Sequence, residues 1–452
     1  MQISTKIGYS AGDFGLSISY FVVGFFYMYY LTDVAGIAPW LAGSVIFIGK
    51  LWEGIGNPLA GILSDKTKSA FGQKRAFILF GAIPFAVSFV LLWIIPASYD
   101  NGIKFVLAII SLLLYTSAYS VVAVPYMALV PVMTNDYDER TQITGIRAVM
   151  STLGIVLGGG AALLVSSFTD LVLGLRTMAI GFAVFTAMSL LIAARSVKGV
   201  EKANNKSSII VRASLGRYIS LMKEKNVAIL LAFKFLGAVA TGCLIASIPY
   251  FAKNVLANTG SSSIGVGIYT ICSALLIPVW YKLTRVFDKR RLLLIANSLG
   301  AVVLVLTSLL VNRGYTIQFF VGCALLGIIM SSYLLIPYSL VPDLVEFYRH
   351  KRGEQHESLY FGLWMTVHQL GIAVSGFMLG GLLSLAGYNG SSEVQTPSAI
   401  LAIRLAFGFI PGLFLVLAAA VLQKYGITRT IYQKVLSELE RHNAHDREAY
   451  SP

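Results

Sequence analysis

Apolar residues in this chain come in long runs broken by short polar stretches. Twelve runs approach or exceed the ~20 residues a helix needs to cross a bilayer. They fall at roughly 9–32, 39–63, 76–96, 105–133, 142–167, 177–194, 227–252, 262–281, 292–311, 315–342, 358–386 and 405–423. Of the 35 Lys and Arg, 27 lie in the loops and termini of one alternate set. The opposite set holds five (Lys104, Arg176, Lys253, Arg313, Arg404), and three (Lys50, Arg147, Lys234) lie inside runs. That asymmetry predicts a multi-pass membrane protein with both termini in the cytoplasm. The longest polar interruption, Arg195 to Asn226, divides the chain. The expected organisation is a six-helix bundle over 1–194, a cytoplasmic linker over 195–226, a second bundle over 227–423 and a cytoplasmic tail over 424–452. Leu215, Tyr218 and Met222 in the linker, and Ile431, Val435, Leu436 and Leu439 in the tail, recur at helical spacing and suit interfacial helices.

Composition agrees. Of 452 residues, 56% are hydrophobic and only 12% charged, against about 25% charged in soluble domains. The net charge of +14 does not point to nucleic acid, because the basic residues punctuate apolar runs and form no basic block. Cys243, Cys272 and Cys323 all lie in apolar runs, with neither a disulfide framework nor a CxxC metal pattern. Met1–Tyr9 has one lysine and no small-residue cleavage site, so it reads as a lead into the first span. No nucleophile–base pair, metal cluster or phosphate loop suggests an enzyme, and no cofactor is expected.

The most informative stretch is Lys50-Leu51-Trp52-Glu53-Gly54-Ile55-Gly56-Asn57-Pro58. It puts a carboxylate near the middle of a span, where an ionised acid costs roughly 2.5–3.5 kcal/mol and usually marks an ion or substrate path. Gly and Pro loosen the backbone directly after it. The Lys50–Glu53 spacing also suits a plain buried ion pair.

The two halves echo each other in order. Tyr29-Tyr30-Leu31-Thr32-Asp33-Val34 is answered by Tyr250-Phe251-Ala252-Lys253-Asn254-Val255, and Pro58 by Pro278. Asp65 with Lys74 and Arg75 is answered by Asp288-Lys289-Arg290-Arg291. Pro125-Tyr126 before Leu129-Val130-Pro131 returns as Pro337-Tyr338 before Leu340-Val341-Pro342, and Leu153-Gly154-Ile155 as Leu370-Gly371-Ile372. Two parallel six-span repeats are the arrangement of major-facilitator transporters, whose substrate site lies between the halves at mid-membrane.

The second span and its loop carry a more specific signal: Trp52-Glu53-Gly54-Ile55-Gly56-Asn57-Pro58, Gly61, Asp65, then Gly72-Gln73-Lys74-Arg75. With Gly8-Tyr9, Gly12-Asp13-Phe14-Gly15, Tyr30-Leu31-Thr32-Asp33, Asp343-Leu344-Val345-Glu346-Phe347, Gly353 and Glu357, this resembles the glycoside–pentoside–hexuronide:cation symporters, the melibiose-permease-like group of the major facilitator superfamily. The resemblance runs nearly the whole chain. It implies an all-α membrane protein of major-facilitator fold, with twelve transmembrane helices in two pseudo-symmetric bundles.

Carried over residue by residue, the resemblance implies a cation-coupling site of Glu53, Asn57, Lys50 and Ser120. Glu53 keeps the family's first acid on a longer stem, whereas Asn57 replaces the second and offers oxygen without charge. Gln369 stands where a lysine is common. Ser17 and Ala123 stand where acids grip the sugar in melibiose-type members, and Arg147 matches a basic residue of that site. One carboxylate beside Lys50 suits carrying one proton better than binding sodium; transport without coupling and sodium coupling are the alternatives.

With two acids lost and Arg147 and His368 present, the expected substrate is a neutral glycoside or an anionic sugar such as a uronide or sulfosugar. Its expected contacts are Ser17, Tyr20, Arg147, Trp364, His368 and Gln369, with Tyr115, Tyr126, Tyr333 and Tyr338 as further stacking faces. Ordinary packing stays open for the aromatics and His368, snorkelling for Arg147 and Lys234, and an interfacial role for Asp13. Asp65, Lys74, Arg75, Arg140, Asp288 and Arg290 are expected to form salt bridges that close the cytoplasmic side of the outward-facing state. The GxxxG pairs Gly154/Gly158 and Gly376/Gly380 allow close helix contact. The chain is expected to act as a monomer in a bacterial inner membrane, in contact with lipid and a small-molecule substrate. The alternatives are a lipid or lysolipid transporter of the same fold, and a transporter-like sensor without flux.

Overall fold

The computed structural model describes residues 1–96, 98–134, 136–199, 220–352 and 357–427. The stretch 200–206, most of the amphipathic segment before Lys225, Gly353 and the tail stripe 431–439 lie outside them.

The first half contains α1 (Ile3–Tyr29), α2 (Pro39–Lys66), α3 (Arg75–Leu91), α4 (Asn101–Met127), α5 (Tyr137–Gly159, continued as Ala161–Ser166) and α6 (Leu171–Ser196). The second contains α7 (Lys225–Asn254), α8 (Gly260–Val286), α9 (Lys289–Leu310), α10 (Thr316–Arg352), α11 (Glu357–Leu385) and α12 (Pro397–Arg404 and Ile410–Leu422, joined by a π turn Leu405–Phe409). A second π turn, Tyr30–Val34, ends α1.

Ten of these helices are long and apolar enough to cross a membrane. The others are α3, with only 17 residues, and α2. The 28 residues of α2 are diluted by Lys50, Glu53 and five glycines, the residues that make it informative. Boundaries differ most where polar residues continue a helix past its apolar run. Thus α10 continues through Pro337 and Pro342 to Arg352, and α12 begins at Pro397 behind a Thr396 side-chain cap.

Packing repeats with a period of six helices. In the first half α1 packs on α5 and α6, α2 on α4, and α3 on α4 and α6; in the second, α7 packs on α11 and α12, α8 on α10, and α9 on α10 and α12. The halves meet where α2 packs on α11, α5 on α8 and α1 on α7. Glycine makes the first of these contacts close: a Cβ added to Gly43 on α2 would stand 2.7 Å from the Gly376 carbonyl oxygen on α11. Gly380 faces Pro39 and Gly43 in the same seam, whereas Gly154 and Gly158 pack against α1 inside the first half. The two GxxxG pairs therefore do different jobs.

Candidate functional site

Glu53 sits midway along α2 and is 2% exposed. Its Oε2 accepts a hydrogen bond from Lys50 Nζ at 2.7 Å, one helical turn earlier. Its Oε1 accepts from Gln369 Nε2 of α11, in the other half, at 2.8 Å. Both carboxylate oxygens are thus met, as a buried charge requires. Lys50 also donates to the Tyr20 hydroxyl at 3.1 Å and lies 4.3 Å from that ring's centroid. Pro58 removes a donor from the turn that begins at Gly54.

Two further oxygens border this group. Asn57 Oδ1 and Ser120 Oγ are buried with no hydrogen-bond partner. Ser120 packs beside this stretch of α2, since a Cβ on Gly56 would stand 3.4 Å from Ser120 Oγ. The four residues assigned to cation coupling therefore gather around one stretch of α2, and Gln369 joins them. The expected substrate contact Gln369 touches the carboxylate instead.

A cavity of about 210 Å³ opens beside Lys50 between the halves. Tyr20, Lys50 and Thr116 supply polar groups from the first half, and Thr241, His368 and Ser375 from the second; most of the remaining lining is apolar. Tyr20, Tyr115 and His368 thus reach the cavity from the expected set.

Other expected contacts are engaged elsewhere. Arg147 is held by Asp13 of α1, with Nε to Oδ2 at 2.6 Å and Nη2 to Oδ1 at 3.2 Å, a bidentate pair. Tyr126 donates to Asp13 Oδ2 at 2.7 Å, and the guanidinium lies over the Tyr126 ring at 5.1 Å. Arg147 neither lines the cavity nor snorkels out; it neutralises Asp13 inside the first half. Ser17 shares a 2.7 Å hydrogen bond with Ser151. Tyr333 is turned onto Phe233 and Asn297. Trp364 is only 1% exposed, with Lys234 Nζ 4.8 Å from its ring centroid, so its ring offers no open face on which a sugar could stack.

A second cross-half cluster, absent from the sequence reading, closes the end of the bundle where α1 hands over to α2. Asp33, in the π turn, accepts from Lys253 Nζ of α7 at 2.6 Å and from the Tyr388 hydroxyl after α11 at 2.8 Å. Beside it the Thr32 and Tyr250 hydroxyls share a 2.8 Å hydrogen bond. Asp33 and Lys253 fall in the echoed motifs of the two halves, which was the available signal.

The expected gating residues occupy the opposite end. Lys74 pairs with Asp65 at 2.8 Å, and Arg75 Nε donates to the Ala194 carbonyl at 2.6 Å. Arg140 Nε donates to the Thr134 carbonyl at 2.9 Å. Asp288 caps α9 through the Arg290 amide at 2.9 Å, while Arg290 Nη1 donates to the Tyr425 carbonyl at 2.9 Å. Each of these contacts stays within one half.

Residues 8–429 match the family described as MFS/sugar transport protein. The chain belongs to that family. Its members include transporters and symporters rather than enzymes. A glucuronide carrier protein homolog of Escherichia coli is 25% identical, covering 96% of this chain and 95% of its own. A sphingosine-1-phosphate transporter, MFSD2B of Xenopus tropicalis, is 24% identical over 95% of this chain and 89% of its own. Among solved structures, a D-xylose–proton symporter superposes with a TM-score of 0.67 at 12% identity, covering 94% of this chain and 98% of that one. That likeness speaks for the major-facilitator fold. The chain is thus a multi-pass membrane protein of the sugar-symporter type.

Proposed function

We propose that this family member carries a sugar or glycoside by alternating access, driven by a proton taken up on Glu53. The observation behind this reading is the cross-half cluster of Glu53, Lys50 and Gln369 beside a cavity that both halves line. With Glu53 ionised, Lys50 balances it and the site is neutral. A proton on Glu53 frees the Lys50 ammonium, which already borders the cavity, to meet substrate. Proton and substrate then favour each other's binding, as symport requires.

Sodium is the weaker reading. It prefers several oxygen ligands with net negative charge, and Asn57 and Ser120 add oxygens without adding charge. We take the termini to be cytoplasmic, as the loop charges indicate; the Asp33 closure then lies outside and this is an inward-facing form. The bundle division at 195–226, residence in a bacterial inner membrane and a monomeric state belong to the same reading.

The apolar lining and the lipid-transporting relative support a second reading, a lipid carrier of the same fold. Thermal-shift measurements with sugars, uronides and lysolipids separate them, and stabilisation by lysolipid alone would rule out sugar. For coupling, uptake by Glu53→Gln is followed against pH and sodium. Accumulation should cease to depend on pH; unchanged pH-dependent accumulation removes Glu53 from the mechanism.

A further inference from the structure

Three cations lie well inside the spans, and two have carboxylate partners: Lys50 with Glu53, and Arg147 with Asp13. Lys234 has none within ion-pair distance among the described residues. Its ammonium lies 4.8 Å from the Trp364 ring centroid and 5.1 Å from that of Tyr338. Ring faces attract a cation but compensate it less fully than a carboxylate. Nor does the side chain run out to water: Lys234 stands nine residues past Lys225, about 13 Å along α7, and its head is turned onto α10 and α11.

Other unmet groups lie alongside. Trp364 and His368 are four residues apart on α11 and share a face. Trp364 Nε1, which can only donate, and His368 Nδ1 are both buried without a partner. His368 also borders the cavity, as Lys50 does from the first half. Tyr338, the second ring beside Lys234, is 38% exposed. This wall of the second half therefore gathers an ammonium, an indole N–H and an imidazole, and the imidazole reaches the shared cavity.

We propose that Lys234, with Trp364 and His368, forms a subsite for the carboxylate or sulfonate of an acidic sugar and sets the choice between acidic and neutral substrates. Lys234 supplies the charge, the indole and imidazole supply directional donors, and Tyr338 faces the ring of the sugar. The inference rests on the sugar-transport reading above and adds the residue that decides charge preference.

The test uses the full chain in lipid nanodiscs and equilibrium binding of methyl glycosides of neutral hexoses and pentoses, each beside its uronate. Wild type should prefer a uronate to its neutral counterpart. Lys234→Gln should weaken that uronate by at least about tenfold while leaving the neutral sugar unchanged, and Lys234→Arg should retain the preference. A wild-type protein that binds neutral sugars as well as or better than uronates overturns the subsite and leaves sugar transport standing. So does a Lys234→Gln variant that weakens both sugars alike or neither. If wild type binds no sugar in either form, the transport reading falls and takes the subsite with it.

Discussion

Gln369 donates its 2.8 Å hydrogen bond to Glu53 across the boundary between the halves, so the buried acid of α2 is read by α11. On the alternating-access reading proposed above, a change in the charge of Glu53 therefore changes a contact that breaks or reforms when the halves rock. Replacing Gln369 with Lys would set a second ammonium against one carboxylate and hold it ionised. Proton-driven accumulation should fall at least about tenfold in Gln369→Lys, while substrate exchange across the membrane continues. Parallel uptake and counterflow assays in proteoliposomes check this, and an unaltered accumulation ratio would refute it.

The Asp33–Lys253 pair closes one end of the bundle, with Tyr388 as a second donor to the same carboxylate oxygen. Asp33→Asn should weaken that closure by about 1–3 kcal/mol, because a charge-assisted bond becomes a neutral one. An engineered cysteine at Met28, which lines the cavity, should then react several-fold faster with an impermeant thiol reagent added outside. Equal rates in the variant and its parent would mean that the pair does not hold the closed form.

Arg147 and Asp13 should behave as one unit. Arg147→Gln leaves Asp13 buried with one charge-assisted partner fewer, and should lower stability by about 3 kcal/mol. Adding Asp13→Asn to that variant should recover much of the loss, because no unpaired charge remains. Thermal unfolding of the two single variants and the double variant measures the coupling. Additive losses would show that the pair is not coupled.

Gly43 lies in the seam between α2 and α11, with Gly376 opposite. Gly43→Leu should keep the halves from meeting there and abolish uptake, whereas insertion and expression stay near wild type because each half packs separately. Normal uptake by this variant would mean that transport does not pass through the packed form seen here.

Much of the fold was legible in the chain because a bilayer punishes unsatisfied backbone and charge so severely. Runs of about 20 apolar residues, loops sorted by Lys and Arg, and a weak repeat between halves specify membrane-spanning helices by rule. The exceptions follow from the same physics. The hydropathy of α2 is lowest where Lys50 and Glu53 sit, and α10 outruns its apolar segment because Asp343 and its neighbours continue the helix beyond it.

The grouping of Lys50, Glu53 and Asn57 was visible for a local reason, since they are three and four residues apart on one helix. What spacing could not supply was which residues meet across helices. Gln369 reaches Glu53 over 316 positions, Asp13 takes Arg147 away from the cavity, and Asp33 finds Lys253 over 220. Each choice depends on rotation and depth of packed helices, and a side chain's neighbours there are set by the bundle rather than by its own segment. The same chemistry, a cation inside a span, came to three outcomes: Lys50 in a cross-half cluster, Arg147 in a neutral pair, and Lys234 on two aromatic rings. Hydropathy recognises all three as costly, and only the packed arrangement assigns each its partner.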